Sequence, residues 1–259
     1  MDLNKIKEKL NSLQSKGKKE KVDYSLVFWR PKKGKHQIRV VPSKFDSSTP
    51  FREVFMHYGL TKFPILALSN FEEADPVLEF TKKLRQGQDK EGWSLAKKLD
   101  PRMRIMVPVI VRGEEDKGVR LWEFGKELYM SFLAFAEDED YADYDDVNSG
   151  RDFTVDAVED TLYGRTITKC SIRPKPKTSA LTSDKDQLKK WLEEQPDILS
   201  INKKHTYDEL KGILQNWLQT DESAANETPE ATTTKNDLPW EDTDTKTEKS
   251  KAIDDLFAS

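Results

Sequence analysis

Along residues 1–22, Leu3, Ile6, Leu10 and Leu13 recur at helical spacing with lysines between them. That predicts a short amphipathic helix, followed by the basic run Lys16–Lys21. From residue 23 to 178 the pattern becomes β-rich. Gln37–Val41 is β-branched and partly alternating. Met106–Val111 is a stronger strand, in which Pro108 points to an edge or a bulge. Val119–Phe124 alternates cleanly, and the turn-forming Gly113–Gly118 before it makes the two strands a hairpin. Thr166–Ile172 is a further strand. Helical spacing interrupts at Val77–Arg85 and Lys126–Phe135. Several short strands with few helices fit a small barrel or sandwich.

Residues 179–218 switch to helix. Ser183-Asp184-Lys185-Asp186 resembles a capping box ahead of Leu188, Trp191 and Leu192. Thr206-Tyr207-Asp208-Glu209 is a second, ahead of Leu210, Ile213, Leu214 and Trp217. Both tryptophans read as packing residues. Residues 219–259 have no sustained periodicity and are rich in Thr, Ala, Asn and acids, the composition of a disordered tail. Two apolar islands interrupt it, Leu238-Pro239-Trp240 and Ile253-Asp254-Asp255-Leu256-Phe257, and both read as docking segments.

Composition supports the division. Of 259 residues only 36% are hydrophobic and 35% are charged, so part of the chain stays outside a core. No apolar run reaches membrane-spanning length, and the charged start Met1-Asp2-Leu3-Asn4-Lys5 lacks the apolar segment of a secretory signal. One cysteine, Cys170, excludes an internal disulfide framework and a multi-thiolate metal site. The net charge of −4 is segregated. Residues 221–259 hold eleven acids against four lysines, a balance of −7, so the first 220 residues carry +3. A mildly basic body with an acidic tail is the object to explain.

Catalytic signatures are missing from the sequence: no Gly-x-Ser-x-Gly, phosphate-binding loop, His-Glu-x-x-His or dinucleotide fingerprint. The acid cluster 137–146 lacks calcium-loop spacing and reads as a solvated loop; a two-metal nuclease built on it is an alternative. The basic segments are more informative. Thr81–Met106 carries eight basic residues and three acids, with Trp93 among polar neighbours. Trp29–Lys35 and Arg173–Lys177 are two further basic stretches. Cations that track phosphates beside rings that stack on unpaired bases are what a single strand requires. A tethered polyanionic tail would compete for such a groove and would be released to partners when it fills.

The chain resembles the gene-32-type single-stranded DNA-binding proteins of T-even-like tailed phages. Ile38-Arg39-Val40-Val41-Pro42-Ser43-Lys44 followed by Pro50-Phe51 is similar to the family's first core strand and its Pro-Ser-Lys turn. Lys90-Glu91-Gly92-Trp93-Ser94-Leu95-Ala96-Lys97-Lys98 is similar to its basic-aromatic segment, with Trp93 near a DNA-facing tyrosine. Trp122-Glu123-Phe124-Gly125-Lys126, Val155-Asp156-Ala157, the strand at 166–172 and the region Asp197–Leu210 follow in the family's order. The tip Asp254-Asp255-Leu256-Phe257 is similar in kind to the acidic-aromatic ends of bacterial single-strand binders. Two features depart. For the family's zinc site His57, next to Tyr58, stands at the histidine's place. Ala67, Asp75 and Leu78 stand where the thiolates would lie, so no zinc and no other cofactor is expected. Apolar packing of Phe63, Ile65, Leu66, Leu68, Phe71, Val77 and Phe80 would stabilise that lobe instead. The family's basic Ser-Thr motif is also missing from the start of the chain and from Lys97-Lys98-Leu99-Asp100.

The resemblance implies an α+β protein: an OB-fold β-barrel core with helical additions over 23–218, a flexible basic N-terminal arm over 1–22, and a disordered acidic tail over 219–259. The expected function is non-enzymatic coating of single-stranded DNA in phage replication, recombination and repair, in the cytoplasm of an infected host. Self-association on DNA would use the arm. Replication and recombination proteins would read the tail through Trp240, Asp254, Asp255, Leu256 and Phe257. Trp93 and Trp122 are the expected stacking rings. Lys97, Lys98, Arg102, Arg104, Arg39, Lys44, Arg173 and Lys175 are the expected phosphate contacts. Arg104 stands where the family places an aromatic, and guanidinium stacking would substitute. An RNA-binding OB protein and a tail-driven adaptor are the remaining alternatives.

Overall fold

The computed structural model describes residues 24–87, 90–162 and 164–226. The expected arm, Trp240 and the 254–257 tip lie outside the described residues. The rest is a mixed α+β protein built on one open sheet of eight strands. A short helix α1 (Tyr24–Val27) leads into β1 (Phe28–Trp29), β2 (Gly34–Val40), β3 (Arg52–His57) and β4 (Ile65–Leu66). A 3-10 turn (Leu68–Phe71), α2 (Pro76–Gln86) and α3 (Lys90–Leu99) follow. Next come β5 (Arg102–Val111), β6 (Arg120–Phe124), α4 (Lys126–Glu137), β7 (Arg151–Leu162) and β8 (Arg165–Thr178). Helices α5 (Lys185–Glu193), α6 (Ile198–Ile201) and α7 (Tyr207–Asn226) complete the described chain.

The strands lie in the order β1-β6-β5-β2-β7-β8, with β3 and β4 branching from β5. The expected β5–β6 hairpin is present, with Ile105 opposite Phe124 and Val109 opposite Arg120. Pro108 does not mark an edge, however. One side of β5 is shared in tandem: β3 pairs as far as Met106 and β2 begins at Val109. The Pro108 carbonyl accepts from the Val41 N–H at 3.0 Å. Its nitrogen faces the same side, at the junction where one neighbour gives way to the next, and no ladder donor is needed there. Strand β7 was recognised in the sequence only at Val155–Ala157. In the structure it pairs with β2 from Asp152 to Ala157 and with β8 over its whole length.

One core lies on one face of the sheet. Phe132 of α4 sits among Trp29, Trp122, Phe124, Tyr144 and Phe153. A second core belongs to a helical lobe set on β3 and β4. There Val77, Phe80 and Leu84 of α2 meet Ala96 and Leu99 of α3 and Leu210, Leu214 and Leu218 of α7. The i, i+4, i+8 spacing of the three α7 leucines places them on one face. Trp191 is buried and Trp217 packs on the lobe, as their spacing suggested. Phe63 contradicts its expected packing role: it is 71% exposed, whereas Ile65, Leu66 and Leu68 beside it are buried.

Helix ends follow the local chemistry. Thr206 and Glu209 form the reciprocal capping box, each side chain accepting from the other's N–H at 3.2 and 3.1 Å. At α5 the cap is Asp184 rather than Ser183; its carboxylate accepts from Asp186 and Gln187. Helix α7 continues to Asn226, past residue 219 where the tail was expected to start. Among the described residues no helix is long and apolar enough to cross a membrane.

Candidate nucleic-acid interface

Helix α3 carries the most prominent exposed ring. Its Ala96 and Leu99 face the lobe core, which turns Trp93 outward at 54% exposure. Lys90, Trp93 and Lys97 fall at i, i+3 and i+7 on this outer face, all exposed. The Arg85 guanidinium lies 5.6 Å from the Trp93 ring centroid and is itself held by the Asp100 carboxylate. One cation is thereby fixed against the ring, and the rest of the indole faces solvent. Lys98 turns toward α7, with its ammonium 4.9 Å from the Trp217 centroid. Arg102, just after the helix, is exposed, with its guanidinium 5.7 Å from the Tyr58 ring.

A cleft of about 780 Å³ lies where the two ends of the sheet come near each other. One wall is Phe28–Pro31 and Trp122–Leu128, and the other is Asp160 and Ile167–Cys170. Arg30, Arg104, Lys126 and Lys169 line it, with Glu123, Glu127 and Asp160 among them. Arg104 Nε donates to Glu123 Oε1 at 2.7 Å, so this pair is locally neutral. Helix α4 opens on the cleft with Gly125 as its cap, a residue with no side chain to bond the first N–H groups.

The expected contacts are therefore divided. Trp93, Lys97, Lys98 and Arg102 share the α3 side, and Arg104 lies farther along β5 in the cleft. Trp122 is a correction: it is 2% exposed and packs against Trp29 and Phe124 at 5.1 and 4.9 Å, leaving no face for a base. Arg39 is another, at 0% exposure. It pairs with Asp152 at 3.3 Å and donates to the carbonyls of Asp146 and Ser179. Trp122 points into the sheet core, whereas Arg39, between the core residues Ile38 and Val40, points to the opposite face and is covered there by the segments at Asp146 and Ser179. Lys44 is exposed and donates to the Glu193 carbonyl at 2.8 Å, on the α5 side. Arg173 and Lys175 lie on β8, three strands away from β5 in the sheet order. The cleft residues Arg30, Lys126 and Lys169 were not singled out. Arg30 lies in a basic stretch visible in the sequence, but only the facing of the sheet ends brings it near Lys169.

Beneath the lobe, His57 is fully buried. Nε2 is 3.0 Å from Asp75 Oδ2, and Nδ1 is 3.3 Å from the Leu99 carbonyl. Both ring nitrogens thus face oxygen atoms, a carboxylate on one side and a backbone carbonyl on the other. Asp75 also caps α2, accepting from Val77 and Leu78, and takes the N–H of Leu68 at 2.9 Å. Burial pushes the Asp75 carboxyl up, but the hydrogen bond and charge of His57, with the N–H groups of Leu68 and Leu78, hold it below the ordinary range. A zinc site does not fit here. The imidazole and carboxylate are bonded to each other, and Ala67 and Leu78 supply no donor side chain. Two of the acids of 137–146 bond to the local backbone: Asp146 Oδ1 accepts from Asn148 and Ser149, and Asp138 Oδ1 from Asp140.

No family model and no curated protein matches the chain.

Proposed function

We propose that this chain binds single-stranded nucleic acid, single-stranded DNA in the first place, without sequence preference and without chemistry. The observation that carries the reading is Trp93. A large ring half in solvent, braced by one cation and aligned with Lys90 and Lys97, is costly to leave in water and suited to stacking on an unpaired base. Each such stack contributes about 1–3 kcal/mol. Duplex bases are already stacked and offer no free face. Arg102, exposed at the start of β5, extends the cation path beyond the helix. We read the sheet as an OB-type barrel left open between β1 and β8, supported by the way both ends line one cleft. The acidic residues 227–259 act as a competing polyanion and as the contact for replication partners.

The test is a tryptophan-fluorescence titration of the full chain with single-stranded and duplex oligonucleotides across a salt series, beside Trp93→Ala and a chain ending at Asn226. Quenching by single strands that salt weakens, that Trp93→Ala largely removes and that truncation tightens is the expected result. The absence of both quenching and salt-sensitive binding at low salt would overturn the reading. RNA oligonucleotides in the same titration measure the sugar preference.

A further inference from the structure

Strand β8 carries a second basic surface apart from the Trp93 site, and the first residue of that surface, Lys169, stands at the rim of the cleft. Lys169 and Arg173 lie opposite Val158 and Thr154 of β7, whose even-numbered positions here face away from the core residues Phe153, Val155 and Ala157. Lys175 and Lys177 continue along the strand past an irregularity in its pairing with β7, and all four are exposed. Among the described residues none of the four pairs with a carboxylate. Lys35 of β2 joins the same face through Asp156. The carboxylates on this face are Asp152, buried and held by Arg39 and Arg112, and Asp156 and Asp160, so the exposed cations prevail. The far end is rigid: the Arg151 guanidinium donates to the carbonyls of Lys175 and Pro176.

Two features narrow the partner. Pro174 and Pro176 interrupt the N–H row of this edge, which makes it a poor template for an added peptide strand. Among the described residues the face exposes no aromatic ring, and its exposed large apolar side chains are Val158 and Ile167. A cation row without a ring gains nothing from unpaired bases and responds to phosphate density alone. Duplex DNA carries one charge per about 1.7 Å of axis, against about 3.4 Å for each strand.

We propose that the outer face of β8, from Lys169 to Lys177, binds the phosphate backbone of a duplex. The inference rests on the single-strand reading of the Trp93 site, and it gives the chain two separate grips, suited to a junction between paired and unpaired DNA. Successive same-face residues of a strand are about 7 Å apart, so the row spans about 27 Å of backbone.

The test uses the full chain and a triple variant, Arg173→Glu, Lys175→Glu and Lys177→Glu. Binding is read by anisotropy of a labelled blunt duplex and, separately, by Trp93 quenching with a single strand. The expected result is at least a tenfold loss of duplex affinity in the triple variant, with the salt slope reduced by about 2 to 3. Single-strand quenching should keep its amplitude, and Trp93→Ala should keep wild-type duplex affinity. Duplex binding unchanged by the triple substitution, or absent from the wild type at low salt, overturns the proposal while leaving the Trp93 reading intact. Loss of wild-type single-strand quenching with duplex binding preserved strikes the first reading instead.

Discussion

The sheet core and the helical lobe are locked by different means. In the sheet core Phe132 meets five other rings at centroid distances of 5.0 to 6.1 Å, those of Phe51, Trp122, Phe124, Tyr144 and Phe153. Flat, rigid side chains at many angles define one arrangement by shape alone. The lobe has Phe80 among leucines, valine and alanine, which slide past one another more easily. Its orientation comes instead from directional bonds, the His57–Asp75 pair and the backbone groups that Asp75 collects. Tyr207 of α7 adds a bond to Glu79 of α2 at 2.7 Å, which pushes the tyrosine hydroxyl up to about 12. Shape holds one region and charge the other, so the two should fail under different conditions.

The largest expected effect is in the ring cluster. Phe132→Ala should cost about 4 kcal/mol by urea denaturation, since it removes the ring at the centre of the core and leaves a cavity. A loss under 1 kcal/mol would mean that the cluster is not what organises the sheet. Asp75→Asn should cost about 3 kcal/mol, because it removes the carboxylate that the buried His57 ring and the N–H groups of Leu68, Val77 and Leu78 share. Trp217 emission should report this loss, while near-ultraviolet dichroism of the ring cluster stays native at low denaturant.

Acid sharpens the contrast. The Asp75 carboxyl titrates lower folded than unfolded, so the unfolded chain binds more protons as pH falls. The stabilisation is complete above the unfolded value of about 3.9 and is lost as pH drops through the folded value. Acid denaturation followed at Trp217 should show this loss in the wild type and a flatter limb in Asp75→Asn. Identical limbs would remove Asp75 from the account. The smallest effect is expected for Trp93→Ala, within about 0.5 kcal/mol of wild-type stability by thermal melting, since the ring is half solvated. A larger change would make Trp93 a structural residue of the lobe.

The two regions were also unequally legible in the sequence. Local periodicity located β5, β6 and their turn, α2, α4 and the capping box of α7, because each depends on neighbouring residues. Trp93 could be singled out for the same reason: its polar neighbours gave it no local core. Arg39 and Trp122 misled because burial is decided by strands far away in the chain. A guanidinium inside a protein is explained only by Asp152, and no local pattern announces that partner. The His57–Asp75 bond was hidden likewise; the two residues drew notice as remnants of a metal site, whereas their bond to each other depends on how β3 meets the start of α2. The cleft and the β8 face arise from strand order, which periodicity does not encode.

Arg39 has a consequence for the order of events during synthesis. Its carboxylate partner lies 113 residues downstream, and β2 lacks its β7 neighbour until that segment has left the ribosome. At about 5–20 residues per second this leaves β2 waiting about 6 to 23 seconds with one edge unpaired. A charged side chain near the end of that strand disfavours premature collapse and pairing with another nascent chain. Once the protein is complete, the same arginine is the bolt that closes the sheet.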